Sequence, residues 1–401
     1  MPAPAPAGGP LAGIRVIDLT VNILGPVATQ VLGDMGAEII KVEPPQGDPI
    51  RQVGPARSPD MGVFFLNTNR NKRGVVLDLK QPEARAALLR LIDGADVLVH
   101  NMRLGAAGRL GLDPTTLLAR NPRLIHACGT GFRKNSAYRD RPAFDDVIQG
   151  MSGIADMHAR RDGEPRYVPM VIADKFCGHA LASAIAMALY RREKTGLGQE
   201  VHVPMVETML NFNLIEHLWA AGLGEPEQGM GYVRMLTPYR RPYATLDGHI
   251  CLLANTDEQW RRLFGAMERP ELAADPRFAR LIDRARHVPA LYAIVEEVMR
   301  TRSTADWLAR LDHADVPCGP VLTLEGLLED PYLTDTQFFR QVEHPTEGPM
   351  VTTAIPVEFS ESPGTIRSLA PRLGQDTEAV LREAGFSDTE IAALTGALTA
   401  A

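Results

Sequence analysis

The sequence predicts an α/β protein: an open parallel sheet in a large domain, joined to a smaller α+β domain. Three observations carry this. Short β-branched runs alternate with helix-length segments through the first half of the chain, and a stretch rich in Gly, Pro, Arg and Tyr breaks that rhythm near residue 222. The third is length, because 401 residues are more than one ordinary core organises.

Taken in order, Ile14-Arg15-Val16-Ile17-Asp18-Leu19 reads as the first strand, and Gly25-Pro26 opens a helix reaching Gly36, with proline suited to a first turn. Further strands are expected at 38–43, 75–79, 96–100, 123–127 and 200–203, and helices at 82–92 and from Lys175 to Glu193. Short apolar Val171-Ile172-Ala173 precedes that last helix as a strand, with Asp174 at its N-cap. Strands spaced by helices imply βαβ units, hence a Rossmann-like large domain. Residues 1–221 form its N-terminal part, 222–335 the linker and small domain, and 336–401 a segment returning to the large domain. Asp247-Gly248 marks a hairpin, 258–311 is mostly helical, and a closing helix falls at 377–384.

Composition bounds the function. Lys+Arg 42 against Asp+Glu 49 gives a net charge of −7, the wrong overall sign for a nucleic-acid binder. The longest apolar stretch in a helix-like pattern, Ala184 to Tyr190, is far short of the roughly 20 residues a membrane span needs. MPAPAPAGGPLAG reads as a lead-in with no signal-peptide character. Cys128, Cys177, Cys251 and Cys318 are scattered without CxxC, which predicts a reducing, cytoplasmic setting without disulfides or zinc. No GxxxxGK[ST], HExxH or GxSxG is present, and Leu24-Gly25-Pro26-Val27 stands where a dinucleotide-binding GxGxxG belongs. An oxidoreductase is therefore disfavoured, and no metal is expected.

Polar residues at strand ends remain. Asn71-Lys72-Arg73, Lys80, Asn101, Arg103 and Arg109 gather where an open sheet binds ligands, as phosphate-holding groups or as solvated loop cations. Asp174 is either a helix cap or a carboxylate nucleophile that the helix terminus keeps ionised and that attacks a thioester. Asp145-Asp146 reads as loop polarity.

Across nearly its whole length the chain resembles CoA-transferase family III (the CaiB/BaiF group of formyl-CoA transferase, carnitine CoA-transferase and α-methylacyl-CoA racemase). The matching pieces are Pro10 to Asp18, Leu32-Gly33-Asp34-Met35-Gly36-Ala37 leading into Glu38 to Glu43, Asn71-Lys72-Arg73 with Leu77 to Lys80, Ala95 to Val99 with Asn101, Lys194-Thr195-Gly196-Leu197-Gly198-Gln199, Val316 to Val321 and Ala370-Pro371 with Leu373-Gly374. The resemblance implies CoA transfer from an acyl-CoA to a carboxylic acid, with Asp174 as nucleophile, through aspartyl anhydride and aspartyl-CoA intermediates and without a metal. It implies Lys80, Asn101 and Arg109 as contacts to the CoA phosphates, ribose or adenine, and Leu79, Met102, Ala106 and Leu110 as apolar neighbours of the adenine. Met205 falls where the family has a site-lining methionine; Phe64 and Phe132, with Val53, fall at acceptor-site positions. An interlocked homodimer with shared sites is implied as well.

Departures are as informative. Val21, Ile23 and Pro44 replace polar residues of formyl-CoA transferase, and Gly229-Met230-Gly231-Tyr232 only shortens its glycine loop, which weakens the case for formyl-CoA:oxalate exchange. Phe144 stands where a racemase carries a basic histidine, so the competing isomerase reading lacks one proton-transfer partner. Arg240 and Arg241, with Tyr239 and Tyr243, are candidates for the distal carboxylate of a dicarboxylic acid such as succinate, or a solvated hinge patch. A non-catalytic CoA-binding subunit is the third alternative, and would leave Asp174 replaceable.

Overall fold

The computed structural model describes residues 8–399, without the side chains of 397–399; the first seven residues of the expected lead-in lie outside it. The described chain divides into two compact units. Among the described residues, one combines 8–153, Val168–Phe212 and 339–399; the other combines Ile154–Tyr167 with Asn213–Phe338.

The first unit is built on a six-stranded sheet, β1 (Arg15–Asp18), β2 (Glu38–Glu43), β3 (Lys72–Val76), β4 (Val97–His100), β5 (Ile125–Thr130) and β6 (Gln199–Pro204), in the order β3-β2-β1-β4-β5-β6. Every pairing is parallel, with Val16 opposite Ile39 on one side and Val97 on the other. This is the α/β architecture the alternation predicts. Parallel strands buried on both faces need continuous apolar runs, and Val16, Ile17, Val97, Leu98 and Val99 are all fully buried. The strand order reverses between β1 and β4, so the loops leaving these two strands diverge and open a crevice.

Through residue 217 the helices are α1 (Leu24–Asp34), α2 (Val63–Thr68), α3 (Pro82–Asp93), α4 (Leu104–Arg109), α5 (Pro114–Arg120), α6 (Asp145–Met151), α7 (Ile154–Asp162, part of the second unit), α8 (Ile172–Thr195) and α9 (Met205–His217), and Thr377–Glu383 and Asp388–Thr399 follow near the C-terminus. Helix α8 runs longer than expected at both ends. Ile172 and Ala173, read as strand, form its first turn, because Val171 is the N-cap and Asp174 is the third helical residue instead of the cap. At its other end Gly196 takes φ +75°, the left-handed conformation that ends a helix without a Cβ penalty, and its N–H closes on Arg192 O at 2.8 Å. Buried Arg192 pairs with Asp96 at 2.8 Å, at the N-terminal edge of β4. This anchors the helix antiparallel to the strands, with its N-terminus over their C-terminal edge.

By length and composition α8 also suffices to cross a membrane, contrary to the short apolar stretch read from the sequence. Here one side of it packs against α1, while Met187 and Tyr190 on it stay exposed. A Cβ on Gly178 would lie 2.6 Å from Leu24 O and 3.1 Å from Val27, so only glycine lets α8 approach α1 this closely.

Strand β3 begins at Lys72, three residues earlier than expected, which places Leu77 to Lys80 in the loop beyond it. Lys72 is consequently a buried core cation, and Arg73 is paired with Glu38 and Glu383, so neither is a free phosphate ligand.

The second unit holds a three-stranded antiparallel sheet formed by Tyr243–Ala244, His249–Leu252 and Cys318–Pro320. Helices Asp257–Ala266, Val288–Met299 and Thr304–His313 bury Trp260, Phe264, Val295 and Trp307 beside it. All four cysteines are free thiols.

Candidate active site

The crevice at the β1/β4 reversal holds a cleft of about 180 Å³. One wall is the loop after β1. Asn101, just past β4, clamps Val21 from both sides, accepting its N–H at 3.0 Å and donating to its carbonyl at 2.7 Å. Lys41 Nζ donates to Thr20 O at 2.8 Å and pairs with Asp48 at 3.0 Å, and Asp48 in turn accepts the Asn22 N–H at 3.0 Å. Three consecutive residues are thus held by their backbones, which stabilises Asn22 at φ +64°.

Below this loop lies a buried ionic cluster. Asp18 accepts from the hydroxyls of Thr20 (2.5 Å) and Thr29 (2.6 Å) and from Lys72 Nζ (3.1 Å). Burial pushes the Asp18 carboxyl up, but Lys72 and Lys41 outweigh it and hold the group below the usual carboxylate range. Burial also brings Lys72 down to about 8. These charges pair within the cluster and support the wall from beneath.

The opposite wall is the first turn of α8. Asp174 lines the cleft, and among the described residues its carboxylate has no hydrogen-bond donor and no ion-pair partner. Its backbone N–H donates to Asp145 Oδ2 at 2.9 Å. Asp145 is 4% exposed and opens α6, so it is a buried structural carboxylate where loop polarity was expected. Gln149, one turn along α6, donates to Asp145 Oδ1 at 2.5 Å and accepts from Val168 N–H at 2.9 Å, tying α6 to the chain entering α8. Burial, reinforced by the charge of Asp145, raises the Asp174 carboxyl to about 7. Desolvation thus works against the ionised form that the helix terminus favours. When ionised, a carboxylate of this basicity is a stronger nucleophile than an ordinary one. Cys177, buried one turn further, is pushed up to about 12 and stays a thiol.

Of the other sequence candidates, Asn101 and Met205 line the same cleft. Leu79, Met102 and Leu110 come together against one core cluster beyond the ends of β3 and β4; Ala106 is half-buried on α4 nearby. Lys80 and Arg109 are exposed beyond those strands, and among the described residues neither has an ion-pair partner. Phe132 is buried against Tyr138 with ring centroids 5.6 Å apart, behind the cleft wall, while Phe64 is exposed on α2 and lines no part of this cleft. Arg240 and Arg241 line a separate cavity of about 290 Å³ within the second unit, where Arg241 pairs with Glu296 at 2.8 Å and Arg240 contacts the sulfur of Met235. Sequence reasoning read Asp145 as loop polarity and missed Gln149 and the loop cation Arg141. No group of three potential metal ligands occurs among the described residues.

The crevice at the sheet's switch point thus has Asp174, its carboxyl raised, on one wall, and Lys80 and Arg109 lie exposed beyond the ends of β3 and β4. The sequence model of CoA-transferase family III matches residues 11–377. The chain is 33% identical to a probable fatty acyl-CoA transferase of Mycobacterium tuberculosis, over 85% of its own length and 90% of the relative's. It is 32% identical to the succinyl-CoA:mesaconate CoA-transferase of Haloarcula hispanica, over 94% and 97% of the two lengths. A crystal structure of a CaiB/BaiF family protein from Brucella suis superposes with a TM-score of 0.78 at 30% identity, covering 94% of this chain and all of that one. The chain belongs to CoA-transferase family III, a family of enzymes whose substrates are CoA thioesters.

Proposed function

We propose that this enzyme moves CoA from an acyl-CoA to a carboxylic acid, with Asp174 as covalent nucleophile. One observation carries the proposal: the Asp174 carboxylate faces the cleft without a bonded partner and with its basicity raised. The ionised carboxylate adds to the thioester carbonyl, forming an acyl-aspartyl anhydride and releasing CoA thiolate. The thiolate attacks the aspartyl carbonyl, expelling the donor acid and leaving an aspartyl-CoA thioester. The acceptor carboxylate attacks that carbonyl, giving a second anhydride and thiolate. The thiolate then attacks the acceptor's carbonyl, producing the new acyl-CoA and restoring Asp174. Lys80 and Arg109 supply charge for the CoA phosphates, Leu79, Met102, Ala106 and Leu110 an apolar bed for its adenine, and Asn101 and Met205 the wall beside the thioester. The name of the Haloarcula relative, with succinyl-CoA as donor and mesaconate as acceptor, supports an acceptor of the dicarboxylic class.

Racemisation at the α-carbon is the competing chemistry. Phe144 lines the cleft where that reaction calls for a basic side chain, which favours transfer. Incubation in D2O with pooled succinyl-, acetyl- and 2-methylacyl-CoA and pooled acids, read by mass spectrometry, tests the choice. Transfer gives new thioesters only when an acid is added; α-deuteration without a new thioester overturns it.

The working form is proposed to be a cytoplasmic homodimer. Ile215, Leu223 and Leu324 are each at least 80% exposed, apolar side chains that a second copy would cover, and four free thiols suit a reducing compartment. Light scattering at micromolar concentration reads the mass: twice the chain mass is expected.

A further inference from the structure

Two arginines in the Asp174 cleft have no role in the CoA-transfer scheme, although the sequence offers Arg103 as a phosphate-holding group or a loop cation. Arg103 leaves β4 two residues after Asn101, and Arg141 lies on the loop that leads into α6; both line the cleft. Among the described residues neither has a carboxylate partner, whereas Arg139 beside them is spent on Asp140 at 3.2 Å.

Arg141 is nonetheless held. Its guanidinium lies 3.9 Å from the centroid of the Tyr138 ring, and Tyr138 packs in turn on buried Phe132. A cation parked on an aromatic face keeps its in-plane N–H groups free and surrenders little rotamer freedom when it binds an anion. The remaining lining includes Val21, Leu24, Phe144 and Met205, apolar groups that suit a short carbon chain.

We propose that Arg141, with Arg103 as its partner, reads the second carboxylate of a dicarboxylic acceptor whose first carboxylate reacts at Asp174. The inference rests on the CoA-transfer reading. Guanidinium forks pair bidentately with carboxylates, so a dicarboxylate gains charge-assisted hydrogen bonds that a monocarboxylate of equal length lacks. The column from Phe132 through Tyr138 then explains why a residue at an acceptor-site position stands behind the cleft wall: it positions the arginine that touches substrate.

The test compares succinate with butyrate as acceptors at one fixed acyl-CoA donor, as the ratio of their kcat/KM values. In the Arg103→Gln/Arg141→Gln double variant this ratio should fall about 10- to 100-fold, and Arg141→Lys should recover part of it. Both acids are read on one preparation, so partial misfolding lowers both rates and leaves the ratio alone. A ratio unchanged within twofold overturns the proposal, as does a rise confined to the donor KM, which would assign the arginines to CoA. A collapse of the ratio in Arg240→Gln/Arg241→Gln instead would move recognition to the second unit and overturn it too. If wild-type protein passes CoA to other acids but to neither of these, this proposal is overturned while the CoA-transfer reading stands; if it passes CoA to no acid of the pool, the CoA-transfer reading itself falls.

Discussion

Replacing Asp174 with Asn should abolish transfer and, at the same time, stabilise the protein in a pH-dependent way. Burial and the charge of Asp145 carry the Asp174 carboxyl from its ordinary 3.8 to about 7. At about 1.4 kcal/mol per pH unit, that is a penalty of about 4 kcal/mol on the ionised form in the folded state. Part of the side chain faces the cleft, where water relaxes some of the cost, so about 2–4 kcal/mol is expected. The sign is the reverse of the common carboxylate case. Between about pH 4 and pH 7 the folded protein holds a proton that the unfolded chain has lost, so wild-type stability falls as pH rises through that window. Asp174→Asn has no such proton. Its stability relative to wild type should be near zero at about pH 4 and reach its full value above about pH 7.5. Urea unfolding of both proteins across this range reads the difference. A gap that stays constant with pH, or that closes as pH rises, would refute the assignment of a desolvated, raised carboxyl.

The same ionisation should govern the rate: kcat/KM is expected to climb tenfold per pH unit below about 7 and level off above it, and a flat profile from pH 5.5 to 8.5 would contradict it. Asp145→Asn removes the neighbouring charge but keeps an acceptor for the Asp174 N–H; the midpoint of that profile should move to lower pH while staying above the ordinary carboxylate range, because burial is the larger cause. Asn101→Ala releases Val21 from two hydrogen bonds, and should cost about 1–3 kcal/mol in urea unfolding and raise the KM for the acyl-CoA. Gly178→Ala forces α8 off α1 and should destabilise by about 1–3 kcal/mol, with kcat falling because Asp174 shifts with the helix.

The sheet was legible because parallel strands announce themselves as continuous apolar runs; Glu38 to Glu43 is the strand the letters suggest, end to end. The start of α8 was not. Ile172 and Ala173 after Val171 look extended in isolation, and Asp174 looks like a cap. What accompanies the helical start is a tertiary hydrogen bond that the Asp174 N–H donates to Asp145, 29 residues away in sequence. Lys72 shows the same limit. A lysine near a strand end reads as a surface cation until the register puts Asp18 3.1 Å away inside the core. Gln149 left no signal, and the Asp145-Asp146 pair read only as loop polarity, since adjacent carboxylates before a helical stretch are ordinary in solvated turns. The nucleophile candidate itself came from the resemblance; position alone favoured the cap.

Covalent capture at Asp174 tests the central claim most directly. The protein would be incubated with an acyl-CoA and no acceptor acid, trapped with hydroxylamine, digested and mapped by mass spectrometry. The account predicts a hydroxamate on the peptide spanning Asp174, absent from Asp174→Asn. Full turnover by Asp174→Asn, or transfer by wild type with that peptide unmodified, would contradict it.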